Sequence, residues 1–562
     1  MKKTGAQIIT TLLERQGVTT VAGIPGGCNL PLYDALHSSP IRHVLARHEQ
    51  GAGFIAQGMA RASGRAEVCL GTSGPGATNL LTAIADAKLD SVPMVAITGQ
   101  VPQTLIGTDA FQEVDTYGLT LPITKHNFIV RHASELLEII PQAFSIAESG
   151  RPGPVVVDVP KDVQLQTIEF DSWPEPGQLV AAAPGDSQSI ARLADMIHGA
   201  SRPILYIGGG IISAGASETL QALARKNHIP VTSTLMGLGA FPADDPLYLG
   251  MLGMHAERYT NHLLDDADLL LAVGVRFDDR ATGRLKDFCR HADVVHIDID
   301  PSEIDKLKAT NLSIVGHAGE ILNQLSPLIE PNTRPDWMAH IAALKAKYPL
   351  EKSSGEGDLE PMAVLRRLAT MVGPDTIITT DVGQHQMWVA QAYPFLKPRT
   401  LQSSSGLGTM GFGLPAAIGA ALAKPGQRVI CISGDGSILM NIQELATLAE
   451  LGLDVTIIIM NNGQLGLVRQ QQELFYEKRF HASHFNAMPD FALIAQGFGV
   501  PSYDLSDDAT PLQTIENALS AKGPNVINMP ICQKQNVFPM VPPGGANHEM
   551  IGAEEQMAGS GV

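Results

Sequence analysis

Short apolar runs recur along this chain and alternate with stretches of helical spacing. EVCLGTSG, VPMVAITG, GPVVVDVP, PILYIGGG, LLLAVGV, VVHIDID, TIITTDVG, RVICISGDG and VTIIIMNN are examples. Each is continuously apolar rather than alternating, the pattern of a strand buried on both faces. Most end in Gly, Asp or Asn. Such strands between helices predict an α/β fold of doubly wound parallel sheets, with functional loops at the carboxyl ends of the strands. Near the start, Thr10, Leu13 and Glu14 have polar-apolar helical spacing and no secretory apolar core precedes them, so the first domain begins there.

Two stretches break the alternation. IEFDSWPEPGQLVAAAPGDSQS, near 168–189, and LEKSSGEGDLEP, near 350–361, are rich in Pro, Gly, Ser, Ala and acids and lack periodicity. They predict domains at 1–168, 190–345 and 360–540, then a tail at 541–562 whose last part is expected to be mobile. The outer two domains also resemble each other. Ser73 to Gln100 lines up with Ser433 to Gln464, both reading strand, Ser-Gly-x-Gly, helix, apolar strand. Internal similarity at this scale predicts two related α/β domains flanking a third.

Composition narrows the function classes. The chain has 562 residues and is 44% hydrophobic, enough for about three or four cored domains. A net charge of -18 gives no basic field for nucleic acid or an anionic membrane. No apolar run reaches the roughly 18 residues of a membrane span. Cys28, Cys69, Cys289, Cys431 and Cys532 are scattered without CxxC spacing, which points to a reducing cytoplasm rather than disulfides or zinc. Cys28 has no visible basic partner and reads as a small core residue. The 17 histidines form no HExxH set, and the 19 methionines read as packing residues.

The candidate chemistry lies at two strand ends. Asp435 sits in the turn Gly434-Asp435-Gly436-Ser437, and Asn462 ends the next apolar strand. On neighbouring strands the two would face one small volume. Both offer hard oxygens suited to Mg²⁺, which usually completes its shell with phosphates when protein ligands are few. The glycines would let backbone N–H groups approach those phosphates, with a helix N-terminus behind them. The plainer alternative makes Asp435 a helix cap and Asn461-Asn462-Gly463 a loop.

The GDG turn followed by the Asn pair resembles the signature of thiamin-diphosphate enzymes. The resemblance implies Mg²⁺ held by Asp435, Asn462 and the backbone carbonyl of Gln464, clamping the cofactor diphosphate. Such a site also needs a buried acid against the aminopyrimidine ring. Glu49, in LARHEQGAGFIAQGMARASG, is the candidate; alternatively it stabilises a helix N-terminus.

RHEQGAGFIAQGMAR, GIPGG, TSGPGATN, GTDAFQE, GRPGPVVVDVPKDV, GMLGMH, RFDDRATG, VGQHQMW, GLGTMGFGLPAAIG and MVPPGGAN resemble the acetohydroxyacid synthase (acetolactate synthase) catalytic subunits, in order along the chain. LGLVRQQQELFYE looks most like the bacterial isozyme I type. By that resemblance Glu49 activates thiamin diphosphate, with Gly26 or Gly27 near the ring. Phe111, Gln112 and Lys161 line the substrate approach. Gln384 and His385 help hold the diphosphate, Met410 supports the bent cofactor, and Gly408, Gly434, Gly436 and Ser437 contact it. The family builds each site from two subunits, which implies a homodimer or a dimer of dimers. It also implies a small regulatory subunit. The implied reaction decarboxylates pyruvate and joins the two-carbon unit to pyruvate or 2-oxobutyrate, early in branched-chain amino-acid synthesis.

For the middle domain the resemblance implies FAD. The residues concerned are Arg151, Gly208, Gly209, Gly210, Thr234, Leu235 and Met236, then His255, Arg276, Asp278, Arg280, Asp298 and Ile299. Arg276 and Arg280 suit anionic groups, and the acids of VVHIDID suit ribose hydroxyls. Arg280 is also a candidate for the second substrate's carboxylate. The net reaction transfers no electrons, so the flavin is expected to be structural. A solvated turn is the alternative for Asp278 and Asp279. A pyruvate oxidase or a silent cofactor-binding protein are the competing functions.

Two positions depart from the family. Gln471 stands where many members have a Trp that favours 2-oxobutyrate. Losing that apolar wall should forfeit about 1–3 kcal/mol of discrimination. Gly316-His317 replaces the usual Gly-Asp, which puts one flavin contact in question.

Overall fold

The structure is a computed structural model describing residues 1–182, 184–349 and 359–553. Three six-stranded sheets form three α/β domains, and every pairing within them is parallel. The continuous apolar runs become central strands such as Met94–Gln100, Leu269–Val273 and Val455–Asn461. Their residues are almost all buried because helices cover both faces.

The outer domains share one strand order. Numbering each domain's strands along the chain, both sheets run second-first-third-fourth-sixth-fifth. The middle sheet runs third-second-first-fourth-fifth-sixth, the dinucleotide-binding order. In such sheets the chain reverses direction beside the first strand, leaving a crevice at the strands' carboxyl ends. In the third domain that crevice lies between Ile377–Thr380 and Val429–Gly434; in the middle domain it lies between Pro203–Ile207 and Leu269–Val273.

The first and third domains share a core. Helix Glu49–Ser63 packs along helix Gly413–Ala423, and Ile55, Met59, Leu414 and Ile418 join one buried cluster. The backbones come close: a Cβ at Gly58 would strike the Ala416 carbonyl, and one at Gly419 the Ile55 carbonyl. Glycine is the residue that permits this approach.

Three segments take a form that the residues alone leave open. The helix between the third and fourth strands of the third domain starts at Glu444, after a separate turn of helix over Asp435–Ile438. The side chain of Asn441, which donates to the Gly411 carbonyl at 2.8 Å, occupies the break. The first linker is pinned to the first domain. Thr167–Glu169 pairs with Lys2–Thr4, and the Gly177 N–H donates to Gln16 Oε1 at 2.8 Å. The tail begins packed on the middle domain, where the Asn547 Nδ2 donates to the Ala281 carbonyl at 2.9 Å. The mobile end expected for the tail, and most of the second linker, lie outside the described residues. Among the described residues no helix is long and apolar enough to cross a membrane.

Candidate active and cofactor sites

The crevice of the third domain gathers the GDG and Asn-Asn ends. Asp435 is buried, and its Oδ2 accepts the backbone N–H groups of Asn462 at 3.1 Å and Gln464 at 3.2 Å, and that of Gly463. Its Oδ1 accepts the Gly436 N–H at 2.8 Å. Burial still pushes this carboxyl up to about 6, with the four N–H groups opposing. Asn462 Oδ1 accepts the Gln464 N–H at 3.2 Å, and Asn462 Nδ2 donates to Gln384 Oε1 at 3.3 Å.

Gln384 and His385 approach from the other side of the crevice, where they open helix Gln384–Ala392. A Cβ at Gly434 would lie 2.9 Å from His385 Nδ1, so glycine there admits the imidazole. Burial lowers His385 to about 3, keeping it neutral. Two buried polar atoms here lack partners, His385 Nε2 and Gln464 Oε1. A carboxylate, amide oxygens and unpaired polar atoms around one crevice are what a hard cation carrying a polyanion requires, so the residues fit Mg²⁺ and a diphosphate. Ser437 Oγ donates to the Val382 carbonyl at 2.8 Å. The loop bearing Gly408 and Met410 borders this domain, with Gly408 exposed and left-handed at φ +70°.

In the first domain, Glu49 opens its helix and is 8% exposed. Its Oε2 accepts from Asn79 Nδ2 at 2.9 Å, and a Cβ on Gly76 would lie 3.4 Å from its Oε1. The turn before it is held from the third domain: Glu444 Oε1 accepts the N–H groups of Arg47 at 2.9 Å and His48 at 3.1 Å. Gly26 packs against Thr72, and its N–H donates to Asn29 Oδ1 at 2.7 Å, while Gly27 faces open space. Gln112 is left-handed at φ +59° and sits on Gly74. Phe111 beside it is 88% exposed, an unusual state for an aromatic side chain. Lys161 begins the short helix after the sixth strand.

A cavity of 730 Å³ occupies the middle domain's crevice and extends to the first and third domains. It is lined by Arg151, Gly208, Gly209, Gly210, Thr234, Met236, Arg276, Asp278, Asp298 and Ile299. Its volume is in the range of cofactor sites. Gly208 and Gly210 abut Gly274, where any Cβ would strike backbone. Arg151 is ion-paired with Glu303 at 2.6 Å and Asp300 at 3.2 Å. His317 also lines the cavity, with a buried Nδ1 that has no partner. Asp278 caps the short helix Asp279–Thr282, accepting the Ala281 N–H at 3.3 Å.

Not every expected residue falls in these clusters. Leu235, His255 and Arg280 are not among the cavity's lining residues. His255 is buried against the Pro539 carbonyl at 3.3 Å, which turns its ring toward the end of the third domain. Arg280 is largely exposed and 3.8 Å from Asp279, outside the crevice. Gln471 lies on the exposed side of helix Gly466–Phe475. Its neighbour Gln470, which sequence reading passed over, is buried: its Oε1 accepts from Gln384 Nε2 at 2.9 Å. Asn79 and Glu444 were also missed. Asn79 lies within TSGPGATN, one helical turn past the glycines, so helical phase could have found it; nothing local marks Glu444.

These crevices, and the acid beside the shared core, define an enzyme of the thiamin-diphosphate class. Residues 3–119 match the thiamine pyrophosphate enzyme N-terminal TPP binding domain, 190–325 the central domain, and 381–529 the C-terminal TPP binding domain. The chain is 53% identical to the acetolactate synthase isozyme 1 large subunit of Escherichia coli K12, covering 98% of both chains. It is 48% identical to the acetolactate synthase large subunit of Parasynechococcus marenigrum WH8102, over 98% of this chain and 91% of that one. Identity to the E. coli isozyme 2 large subunit is 45%, over 97% and 99%. The chain belongs to the acetolactate synthase large-subunit family.

Proposed function

We propose that this chain is a carboligase that joins the decarboxylated two-carbon unit of pyruvate to a second 2-oxoacid. Pyruvate as acceptor gives 2-acetolactate, and 2-oxobutyrate gives 2-aceto-2-hydroxybutyrate. The observation that carries the reading is the Asp435–Asn462–Gln464 cluster at the third domain's crevice, with Gln384 and His385 across from it. When bound, thiamin diphosphate supplies the carbon nucleophile and electron sink that decarboxylation of a 2-oxoacid needs.

The chain's residues do the rest. Asp435, Asn462 and the Gln464 carbonyl would hold Mg²⁺, and His385, Gln384, Gly434, Gly436 and Ser437 would pack around the diphosphate. Glu49, buried and bonded to Asn79, holds a proton at a ring nitrogen of the cofactor. Gly26, Gly27, Phe111, Gln112 and Lys161 border the substrate's path. Gly408 and Met410 support the cofactor from the loop they share. FAD would occupy the middle cavity, where Arg61 Nε and His317 Nδ1 are buried without partners; because the net reaction transfers no electrons, its role there would be structural.

The working unit is a homodimer, alone or paired again. Phe111 and Gly408 are exposed in the single chain, which leaves them open to a partner's surface. A second copy would bring one chain's Glu49 to the other's metal cluster. A small regulatory subunit is a further partner, as the relatives' designation as large subunits implies. The protein acts in the cytoplasm, in keeping with its five free cysteines.

Acetolactate formation from pyruvate, with each of thiamin diphosphate, Mg²⁺ and FAD omitted in turn, tests the assignment. Dependence on all three is expected; pyruvate consumption with flavin reduction and no acetolactate would overturn it.

A further inference from the structure

The chemistry above makes no use of Arg61, Asp86 or Asp90, yet these form a buried ion cluster between the first and third domains. Arg61 Nη2 lies 2.9 Å from Asp90 Oδ2 and 3.4 Å from Asp86 Oδ2, and both carboxylates are fully buried. Gln57 Oε1 accepts from the same nitrogen at 3.0 Å, and the guanidinium lies 5.0 Å from the centre of the Phe412 ring. Charges buried this deeply are retained only when well paired. Two carboxylates share one guanidinium here, and burial with the neighbouring Asp90 pushes Asp86 up to about 6.

Both aspartates then reach across to one loop. Asp90 accepts the Ser405 N–H at 3.0 Å and the Gly406 N–H at 2.7 Å. Asp86 Oδ1 accepts from the Ser404 hydroxyl and from Thr409 Oγ1 at 3.1 Å. Ser404 Oγ in turn accepts the Thr409 N–H at 2.7 Å. The span Ser404–Met410, which carries Gly408 and Met410, therefore hangs from this cluster. On the other side, Arg61, Asp90 and Ser405 line the 730 Å³ cavity, and Arg61 Nε is buried without a partner. Asp86 does not line the cavity; it links the part that does to the loop.

We infer that the Arg61–Asp90–Asp86 cluster couples the two cofactor sites, so that a flavin in the middle cavity fixes the Ser404–Met410 loop in the form that receives thiamin diphosphate. The inference rests on the flavin reading above. A coupling of this kind is reciprocal: each cofactor tightens the other by the same factor.

The test uses the full chain stripped of cofactors. The dissociation constant of thiamin diphosphate with Mg²⁺ is measured by calorimetry without and with saturating FAD, and that of FAD without and with thiamin diphosphate. In the unaltered protein each cofactor is expected to tighten the other by about tenfold. Asp86→Asn, which keeps the shape but removes an acceptor, should bring the factor within about twofold of unity while FAD binding alone is unchanged. Thr409→Val removes one hydroxyl bond from a half-buried loop residue, and should act in the same direction even where Asp86→Asn fails to fold. Independent binding in the unaltered protein, or full coupling in both folded variants, overturns the inference. A protein that binds no FAD at all overturns the flavin reading with it, a result distinct from binding without coupling.

Discussion

At the end of the third strand the first domain reads Ser73-Gly74-Pro75-Gly76, and the third domain reads Ser433-Gly434-Asp435-Gly436. Both turns lie at the same place in sheets of the same strand order. Pro75 takes the first helical position, where its missing N–H costs nothing, and the helix runs on to Leu89. Asp435 starts a helix that ends at Ile438, and its carboxylate instead gathers the N–H groups beyond the next strand. The fourth strands diverge the same way. Gln100 turns inward to Asp158 Oδ2 at 3.0 Å, while Asn462 stays at the crevice. One topology thus offers two equivalent edges, and only the third domain's carries an acid in its turn. The first domain supplies its acid elsewhere, at Glu49.

The largest effects should come from removing either acid. Asp435→Asn is expected to weaken thiamin diphosphate and Mg²⁺ binding by about a hundredfold or more, since even outer-shell partners of a metal are worth roughly 10–100-fold. Glu49→Gln should leave that binding near normal and lower kcat by roughly 10²–10⁴-fold. Calorimetry and steady-state rates separate the two; equal loss of binding in both variants would contradict the division of labour. Mixing Glu49→Ala and Asp435→Ala chains should restore up to about a quarter of the activity, because one site of each mixed dimer is intact. No recovery after refolding the mixture would place both acids in one chain's site.

Smaller effects sharpen the picture. Gln471→Trp should raise the preference for 2-oxobutyrate over pyruvate by about tenfold, read from product ratios in competition. Asp158 gives a pH signature confined to the first domain. Burial pushes it from 3.8 up to about 7 against its bonds from Thr98 and Gln100. The folded state therefore holds a proton the unfolded chain has lost, and stability from this group falls as pH rises from about 4 to about 7. Asp158→Asn should flatten that part of the profile in denaturant titrations, and an unchanged slope would argue against a protonated Asp158.

Much of this was legible in the residues. Continuous apolar runs mark buried parallel strands because burial on both faces is a local demand on each strand. Gly-Asp-Gly and Asn-Asn are legible because a turn and a strand end are short-range features. Glu444 and Gln470 were not, since their partners lie at other places in the fold: Glu444 meets Arg47 and His48 across 397 and 396 residues. Helical spacing could not say whether Gln470 or Gln471 turns inward until Val537 and Gln384 packed against it.

The sequence by itself determined the three α/β domains, the paired outer domains and the residue types at the Asp435 and Asn462 strand ends. Those follow from hydrophobic periodicity and turn chemistry, which act within a few residues. Only the tertiary structure decided that the outer domains share a core and that Arg151 joins the middle cavity while Arg280 does not. It also decided that Asp86 and Asp90 reach the Ser404–Met410 loop. These are long-range choices, set by which helices can approach closely and by which buried charges must find partners.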